Sequence, residues 1–469
     1  IISQGCAYQY LGGMNIAARD PLQHMLPMVY LHPPLAKEVL RYTFSGMDKT
    51  GFIAYGISGI GMRTSCGFTF PSDTNLYLML AISEYVLATR DFAFLKAELP
   101  YYPIEEGKTG TVLEHLELAF KHLINDVGKG EHGLIKSRHA DWNDMFLVEA
   151  KYLYPELDDQ TIEEQGESVL NTAMATYILP YFAEMLSSAG EKDFADRVQE
   201  SAGSFRKAMA EQWNGQWFNR GWLGEGRRMG GKEQLNLEPQ PWAILGKNLD
   251  PVREQALRET LWNRLSEQSP IGAVNRWLSP EMSGRVPEGV TVFGVWYSLN
   301  MPLVWAYSQL KPEYAWEEFL HSTLGNHSRA YPEIWIGVWS GPDSYNSPKD
   351  VRPGMTWDSF PLVGLMIDFP IMCAHAHACP WFSLIKLAGI QPTADGFIID
   401  PKIPQKDFEI QTSLFSLRRK GEILSASIVP LNDEMITFRV RTSGNQVRSQ
   451  SKYVYWRRDA EFLVFSVQA

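Results

Sequence analysis

Apolar residues recur at helical spacing through most of this chain. Between residues 72 and 89, Leu76, Met79, Leu80, Ile82, Tyr85 and Val86 follow Ser72 and Asp73, residues that favour a helix N-cap. Residues 111–126 repeat the pattern with Val112, Leu116, Phe120, Leu123 and Ile124. The same spacing predicts helices over 166–190, 193–212, 239–247, 250–267, 291–309 and 313–324, with further helix inside 359–388. Near the start, Pro21 suits a first helical turn, with Asp20 as its cap and Arg19 at the helix mouth, facing a loop. Long helices with little strand signal between them imply an all-α array. No fixed-period repeat is evident.

The pattern changes near Ile390. Short β-like runs follow: Phe397–Ile399, Phe408–Thr412, Ile423–Val429, Met435–Val440 and Tyr453–Trp456, separated by polar turns. Alternation from Ile436 to Arg441 predicts an antiparallel sheet with one wet face. The chain therefore divides into a helical part over 1–390 and a β-rich part over 391–469.

The loops between helices carry the candidate chemistry. Arg138-His139-Ala140-Asp141-Trp142-Asn143-Asp144 sets two carboxylates three residues apart, with an indole and an amide between them. Glycoside chemistry uses such parts: an acid to protonate a bridging oxygen, an aromatic face under a pyranose, and polar groups for hydroxyls. The same residues also suit a capped surface turn. Gln240 and Trp242 stand at a helix start. Glu333 and Asp343 lie among Trp335 and Trp339, where burial beside indoles would raise a carboxylate pKa. His375 and His377 sit two apart, which on a helix points them to different sides, so core or substrate-contacting histidines are expected there rather than a metal site.

Composition narrows the classes. Aromatics make up 12% of the 469 residues, with 15 Trp and 20 Tyr, as a lined cleft would need. The net charge of -11 disfavours nucleic acid as a partner. Four cysteines, at 6, 66, 373 and 379, form neither a disulfide framework nor a zinc spacing, and low cysteine use fits the cytoplasm. No apolar run is long enough for a membrane span. The first residue is Ile1 and no signal-peptide pattern follows, so the chain is expected to begin inside a longer protein.

Taken together, these segments resemble glycoside hydrolase family 94, which holds cellobiose and chitobiose phosphorylases and the phosphorylase-like part of cyclic β-1,2-glucan synthases. Arg19-Asp20-Pro21-Leu22-Gln23-His24 is similar to its Arg-Asp-x-x-Gln-Asp segment, and Ser72-Asp73-Thr74-Asn75-Leu76-Tyr77 to its Ser-Asp-Asp-x-Leu-Trp helix start. Asp141-Trp142-Asn143-Asp144 matches its catalytic loop, Gln240-Pro241-Trp242-Ala243-Ile244 its Gln-Ser-Trp-Ala-Val, and the run from Gly389 to Pro401 its Gly-Ile-x-Pro…Ile-Asp-Pro. The resemblance implies a mainly α fold, an (α/α)6 barrel with a small β-rich C-terminal domain, and a preceding β-sandwich that this chain lacks. It implies Asp144 as general acid and Glu333 as a substrate-contacting carboxylate. Arg19, Asp20, Gln23, Asp141, Trp142, Gln240, Trp335, Asp343 and His375 are the expected sugar contacts.

Two departures bear on the nucleophile. Val290–Trp296 replaces the family's Asn-Gly-Gly-x-Phe-x-His, and Cys373-Ala374-His375 replaces Thr-Gly-Thr, both of which help hold phosphate. The expectation is an inverting enzyme acting on an oligosaccharide or glycoside, with a β linkage expected, water favoured as nucleophile, and Glu333 or Asp343 as base, roughly 6.5–9.5 Å from the acid. The alternative is phosphorolysis, with inorganic phosphate as co-substrate; a non-catalytic glycan-binding domain is the third reading. No metal or other cofactor is expected. A homodimer, or association with the absent N-terminal region, is the expected assembly.

Overall fold

The computed structural model describes residues 17–64, 70–144, 146–284, 293–334, 344–355, 374–429, 435–442 and 453–468. About half of the described residues are helical, and the C-terminal part is β-rich. The central helices are α1 (Arg19–Leu31), α3 (Thr74–Thr89), α5 (Val169–Ser188), α7 (Pro239–Leu245), α9 (Tyr297–Leu310) and α11 (His375–Leu387). Each packs on the next in that order, and α11 returns to α1. A second set lies outside them: α2 (Pro33–Ser45) on α1 and α3, α4 (Val112–Lys121) on α3, α6 (Lys192–Ala210) on α5, α8 (Pro251–Leu261) on α9, and α10 (Pro312–His321) on α9 and α11.

The two sets differ in sequence for a physical reason. Every residue of α3 is buried, including Asn75, Ser83 and Glu84, because neighbours cover it on all sides. By contrast, α6 buries only Phe194, Ala195, Val198, Ala202, Phe205 and Met209, a single stripe against α5, and gives its Lys, Arg, Asp and Glu side chains to water. Local signals set the ends. Thr111 and Glu114 form a reciprocal capping box at α4, and Asp250 caps α8 through the amides of Val252 and Arg253. Both α4 and α8 run on into wider π turns, His122–Val127 and Trp262–Ser266, so the longer helices expected there are each regular only in their first part.

The start of α1 differs from expectation. Its cap is Ala18, and Arg19 and Asp20 already belong to the first turn, both buried. Arg19 therefore points inward rather than into a loop. Asp73 stands at the cap position of α3 but makes no side-chain cap bond.

A small antiparallel sheet flanks the central helices: β1 (Ile135–Lys136), β2 (Glu167–Ser168), β3 (Gly221–Gly224) and β4 (Arg227–Met229), in that order. At the C-terminus, β5 (Ile390–Thr393), β6 (Gly396–Ile399), β10 (Met435–Arg441), β12 (Phe462–Gln468) and β11 (Tyr453–Asp459) make one five-stranded sheet in the order β5-β6-β10-β12-β11. The strands β7 (Asp407–Gln411), β8 (Phe415–Lys420) and β9 (Ile423–Ile428) make a second, antiparallel one. β10 pairs antiparallel with β12, but parallel with β6. This region is fastened to the helices by polar bonds: Arg90 donates to the carbonyls of Thr393 and Ala394, Glu184 accepts from the Ala394 amide, and Ser413 donates to the Leu31 carbonyl.

Candidate active site

The segment 137–144 leaves β1 and is laced to the entrance of α3. The amide of Ser72 donates to the Ala140 carbonyl at 3.0 Å, and the amide of His139 to that of Phe70 at 3.3 Å. Within the segment, Asp141 accepts from the Asn143 amide at 2.9 Å, a local turn that swings Asp144 away from Asp141. The two acids then meet opposite surroundings.

Asp141 is fully buried. Arg220 donates to both of its oxygens, at 2.6 and 2.7 Å, and Ser168 to one of them at 2.6 Å. Burial pushes this carboxyl up, but Arg220 and the hydrogen bonds outweigh burial and hold it below the usual range. Expected as a sugar contact, Asp141 is placed instead as the anchor of the loop, with its acceptor sites turned inward. Arg220 continues the line of charge: its Nε is 3.6 Å from Glu238, and Arg276 donates to Glu149 at 2.7 Å just beyond the loop.

Asp144 meets Arg19. The guanidinium donates from Nη2 to Asp144 Oδ1 at 2.9 Å, from Nη1 to Asp73 Oδ2 at 2.9 Å and to the Asp141 carbonyl at 3.2 Å, and from Nε to Asp20 Oδ1 at 3.3 Å. Tyr55 donates to Asp144 Oδ2 at 2.8 Å. The Asp144 side chain keeps 27% of its surface accessible, while Asp73 keeps none and Asp20 3%. It is the carboxyl of this cluster that a ligand can reach. Burial pushes Asp144 above the ordinary aspartate range, with Arg19 and the Tyr55 hydroxyl opposing it without cancelling it. Burial likewise pushes Asp73 up to about 6 against the pull of Arg19. One guanidinium does not offset the burial of both Asp73 and Asp144, so Asp73 keeps its proton well above pH 4. For Arg19 itself burial opposes the charge, but Asp144, Asp73 and Asp20 more than restore it.

Around this centre the other expected residues divide. Trp142 is half-buried and meets Trp296 edge to face at 6.2 Å. His375 approaches Asp20 at 3.7 Å and His24 at 3.0 Å, and burial, then Arg19, lower its pKa to about 3, which keeps it neutral. Gln23 turns toward the Tyr77 hydroxyl at 3.5 Å and leaves its Oε1 buried without a partner among the described residues. Gln240 departs from expectation. It is fully buried, accepts from the Phe218 amide at 3.0 Å, and donates to the carbonyls of Phe218 and Asn236, both at 2.9 Å. Its amide pins backbone and has no direction left for a sugar.

Glu333 also departs from expectation. It lies in a turn after the helix Leu324–Ala330 and is exposed. Trp335 and Asp343 lie outside the described residues. Three contributors went unread in the sequence. Asp73 carried the signal of a helix cap and a place in a family segment, neither of which pointed to Arg19. Tyr55 and Arg220 carried no local signal, because their partners stand 89 and 79 residues away.

The profile of the glycosyl hydrolase 94 superfamily catalytic domain matches residues 1–257, more than half of the chain. The chain belongs to the glycosyl hydrolase 94 superfamily. Within that superfamily it is similar to a solabiose phosphorylase of Paenibacillus borealis, 27% identical over 56% of this chain and 32% of the relative. It is similar too to a 3-O-beta-D-glucopyranosyl-beta-D-glucuronide phosphorylase of the same organism, 23% identical over 82% of this chain and 48% of the relative. An N,N'-diacetylchitobiose phosphorylase of Vibrio furnissii is 25% identical over 52% of this chain and 29% of the relative. The chain thus spans less than half the length of these relatives. Among solved structures, a GH78 family rhamnosidase of Bacillus sp. GL1 superimposes with a TM-score of 0.53 at 14% identity, over 86% of this chain and 36% of that one. A sialidase superimposes with a TM-score of 0.55 at 12% identity, over 88% of this chain and 35% of that one. At such identities the likeness is one of fold alone. Among the described residues, no helix is long and apolar enough to cross a membrane.

Proposed function

We propose that this glycosyl hydrolase 94 member is an inverting phosphorylase of β-linked glycosides, with Asp144 as the proton donor. The closed order of six central helices, five of them backed by an outer helix, is read as an (α/α)6 barrel over residues up to about 390, with 391–469 as its β-rich companion. The observation that carries the reading is the state of Asp144. It is a carboxyl raised by burial, still partly open, and fixed by Arg19 and Tyr55. A general acid needs a proton held to higher pH than an ordinary carboxyl holds one, and a face that the glycosidic oxygen can approach.

Phosphate, rather than water, is the proposed nucleophile. The three relatives above are named phosphorylases, which weighs against the hydrolysis that the altered phosphate segments suggested. Glu333, one of the two candidate bases for water, stands in solvent. Phosphorolysis needs no protein base, because the attacking oxygen already carries charge. Arg19, ringed by carboxylates, is assigned to holding the acid and the sugar rather than the phosphate.

The test is to incubate the protein with solabiose, N,N'-diacetylchitobiose and 3-O-β-D-glucopyranosyl-β-D-glucuronide, with and without inorganic phosphate. A sugar 1-phosphate formed only when phosphate is present is the expected result. Free sugar released at the same rate without phosphate would overturn the proposed nucleophile. Asp144→Asn should lower turnover by at least two orders of magnitude, the usual contribution of general acid catalysis.

A further inference from the structure

We propose that Tyr55 is the positioning residue for the acid's proton, fixing it on Asp144 Oδ2; this rests on the reading of Asp144 as proton donor. Each partner of the carboxyl limits where that proton can sit. Oδ1 faces the Arg19 guanidinium, which donates and never accepts. A charged guanidinium is held best by the oxygen that carries the negative charge, so Oδ1 stays the unprotonated acceptor. Oδ2 faces the Tyr55 hydroxyl at 2.8 Å, which can donate to a carboxylate or a carboxylic acid oxygen alike. The transferable proton therefore sits on Oδ2, with the Tyr55 O–H holding that oxygen in place from one side and leaving the other side for a bridging oxygen.

In the reaction the Oδ2–H bond breaks and the proton goes to the glycosidic oxygen. The C1–O bond breaks with its electron pair on that leaving oxygen, and a phosphate oxygen forms the new bond to C1. The charge left on Asp144 is met by Arg19 at Oδ1 and by Tyr55 at Oδ2. A hydrogen bond to an ionised acceptor is roughly twice as strong as one to a neutral acceptor, so the Tyr55 contact strengthens as the proton departs. Tyr55 is built for this. Its ring is 8% exposed, and the strand Gly56–Gly59 follows it directly, so the hydroxyl is aimed by backbone. The charged and titratable groups around Asp144 among the described residues are Arg19, Asp20, Asp73, Asp141 and Tyr55, with His375 beyond Asp20. Tyr55 alone among them gives a neutral hydroxyl donor to the carboxyl.

The experiment is a pH titration of the aspartate carboxyl carbons by 13C NMR in the intact protein, with Asp144→Asn to assign the signal. Tyr55→Phe keeps the ring and removes the donor. The Asp144 midpoint should rise by about one pH unit, a tenfold change in its proton affinity, because the charged form has lost a hydrogen bond. Tyr42→Phe is the structural control. It removes another buried tyrosine hydroxyl of the same region, one that donates to the Ile57 carbonyl at 2.8 Å and does not touch the acid. That variant should leave the Asp144 midpoint in place. In turnover of the disaccharide cleaved above, Tyr55→Phe should move the alkaline limb of kcat/KM upward by the same amount, lower kcat several-fold and leave KM unchanged. A midpoint that stays put or falls in Tyr55→Phe, or that rises equally in Tyr42→Phe, would overturn the proposal. If Asp144→Asn keeps full turnover, the proton-donor reading fails by itself, while the NMR midpoints still decide what Tyr55 does to the carboxyl.

Discussion

Asp20, Asp73 and Asp144 all reach for the Arg19 guanidinium, and they differ in what else each can find. Asp73 finds least: it has no exposed surface, and its Oδ1 lacks a partner among the described residues. Its folded-state pKa of about 6 lies above the ordinary value of 3.8. The folded protein therefore holds a proton there over a pH range in which the unfolded chain has released it. The sign follows: Asp73 contributes stability that is present below about pH 4 and lost as pH rises through about 6. The gap between the folded and unfolded values corresponds to about 3 kcal/mol at a fully buried site. The neutral substitution Asp73→Asn should be free of this loss. Urea unfolding at pH 4 and pH 7 should show the stability of Asp73→Asn, relative to the parent, improving by about 2 kcal/mol at the higher pH. A relative stability that does not change with pH would mean that Asp73 is not protonated in the fold. The same residue shows how far a sequence can be read at this scale. Asp73 before an apolar helix carries the pattern of a cap, and nothing local says that its carboxylate turns to a guanidinium 54 residues earlier instead. Asp141 and Gln240 were readable as site residues only by motif. Their side chains prove to be holding groups because Arg220 and Phe218, distant in sequence, come to them in the fold.

At the scale of elements, periodicity located most helices, since burial on one face or on all faces leaves a visible apolar repeat. It missed features with no side-chain signature. The π turns that end α4 and α8 arise from backbone bonding, and the strands β5 and β8 contain too many polar or mixed positions to stand out. It also hid the polar rivet among the central helices. Glu84 on α3 accepts from Tyr30 on α1 at 2.5 Å, from Tyr181 on α5 at 3.0 Å, and from Lys386 on α11 at 2.8 Å. All four residues are buried, and the Lys386 ammonium also lies over the rings of Trp305 and Phe382. Four non-consecutive helices are thus tied to one carboxylate, which fixes their relative height better than interchangeable apolar contacts can. Removing the cation leaves that carboxylate buried among neutral hydroxyls. Lys386→Met, which keeps the stem, should therefore cost about 3–5 kcal/mol of stability. It should appear as a lower urea midpoint at unchanged slope. The double variant Glu84→Gln with Lys386→Met should recover part of that loss, because no lone charge remains. Equal losses in the single and double variants would show that the pair is not coupled.

At the scale of the whole molecule, the proposed phosphorolysis sets one proton donor on one side of a glycosidic bond and a mobile anion on the other. The protein carries a net charge of -11, so phosphate is not drawn in by the overall field and has to be selected locally. The acid cluster reinforces this division, since Arg19 is surrounded by the carboxylates of Asp20, Asp73 and Asp144. An anion approaching from that side would meet negative charge first. Attack from the opposite face of the sugar is the path that electrostatics leaves open. A single displacement from that face inverts C1, with no covalent sugar on the protein. A β-linked disaccharide should therefore yield the α-anomer of the sugar 1-phosphate. The two anomers are told apart by the proton coupling at C1, read by 1H NMR within the first minutes of reaction, before any solution equilibration matters. An initial β-phosphate would require a double displacement, and with it a carboxylate nucleophile that has no place in this scheme. Asp144→Asn should leave the anomeric outcome of its residual turnover unchanged while slowing it, because the donor governs departure of the leaving group and not the face of attack.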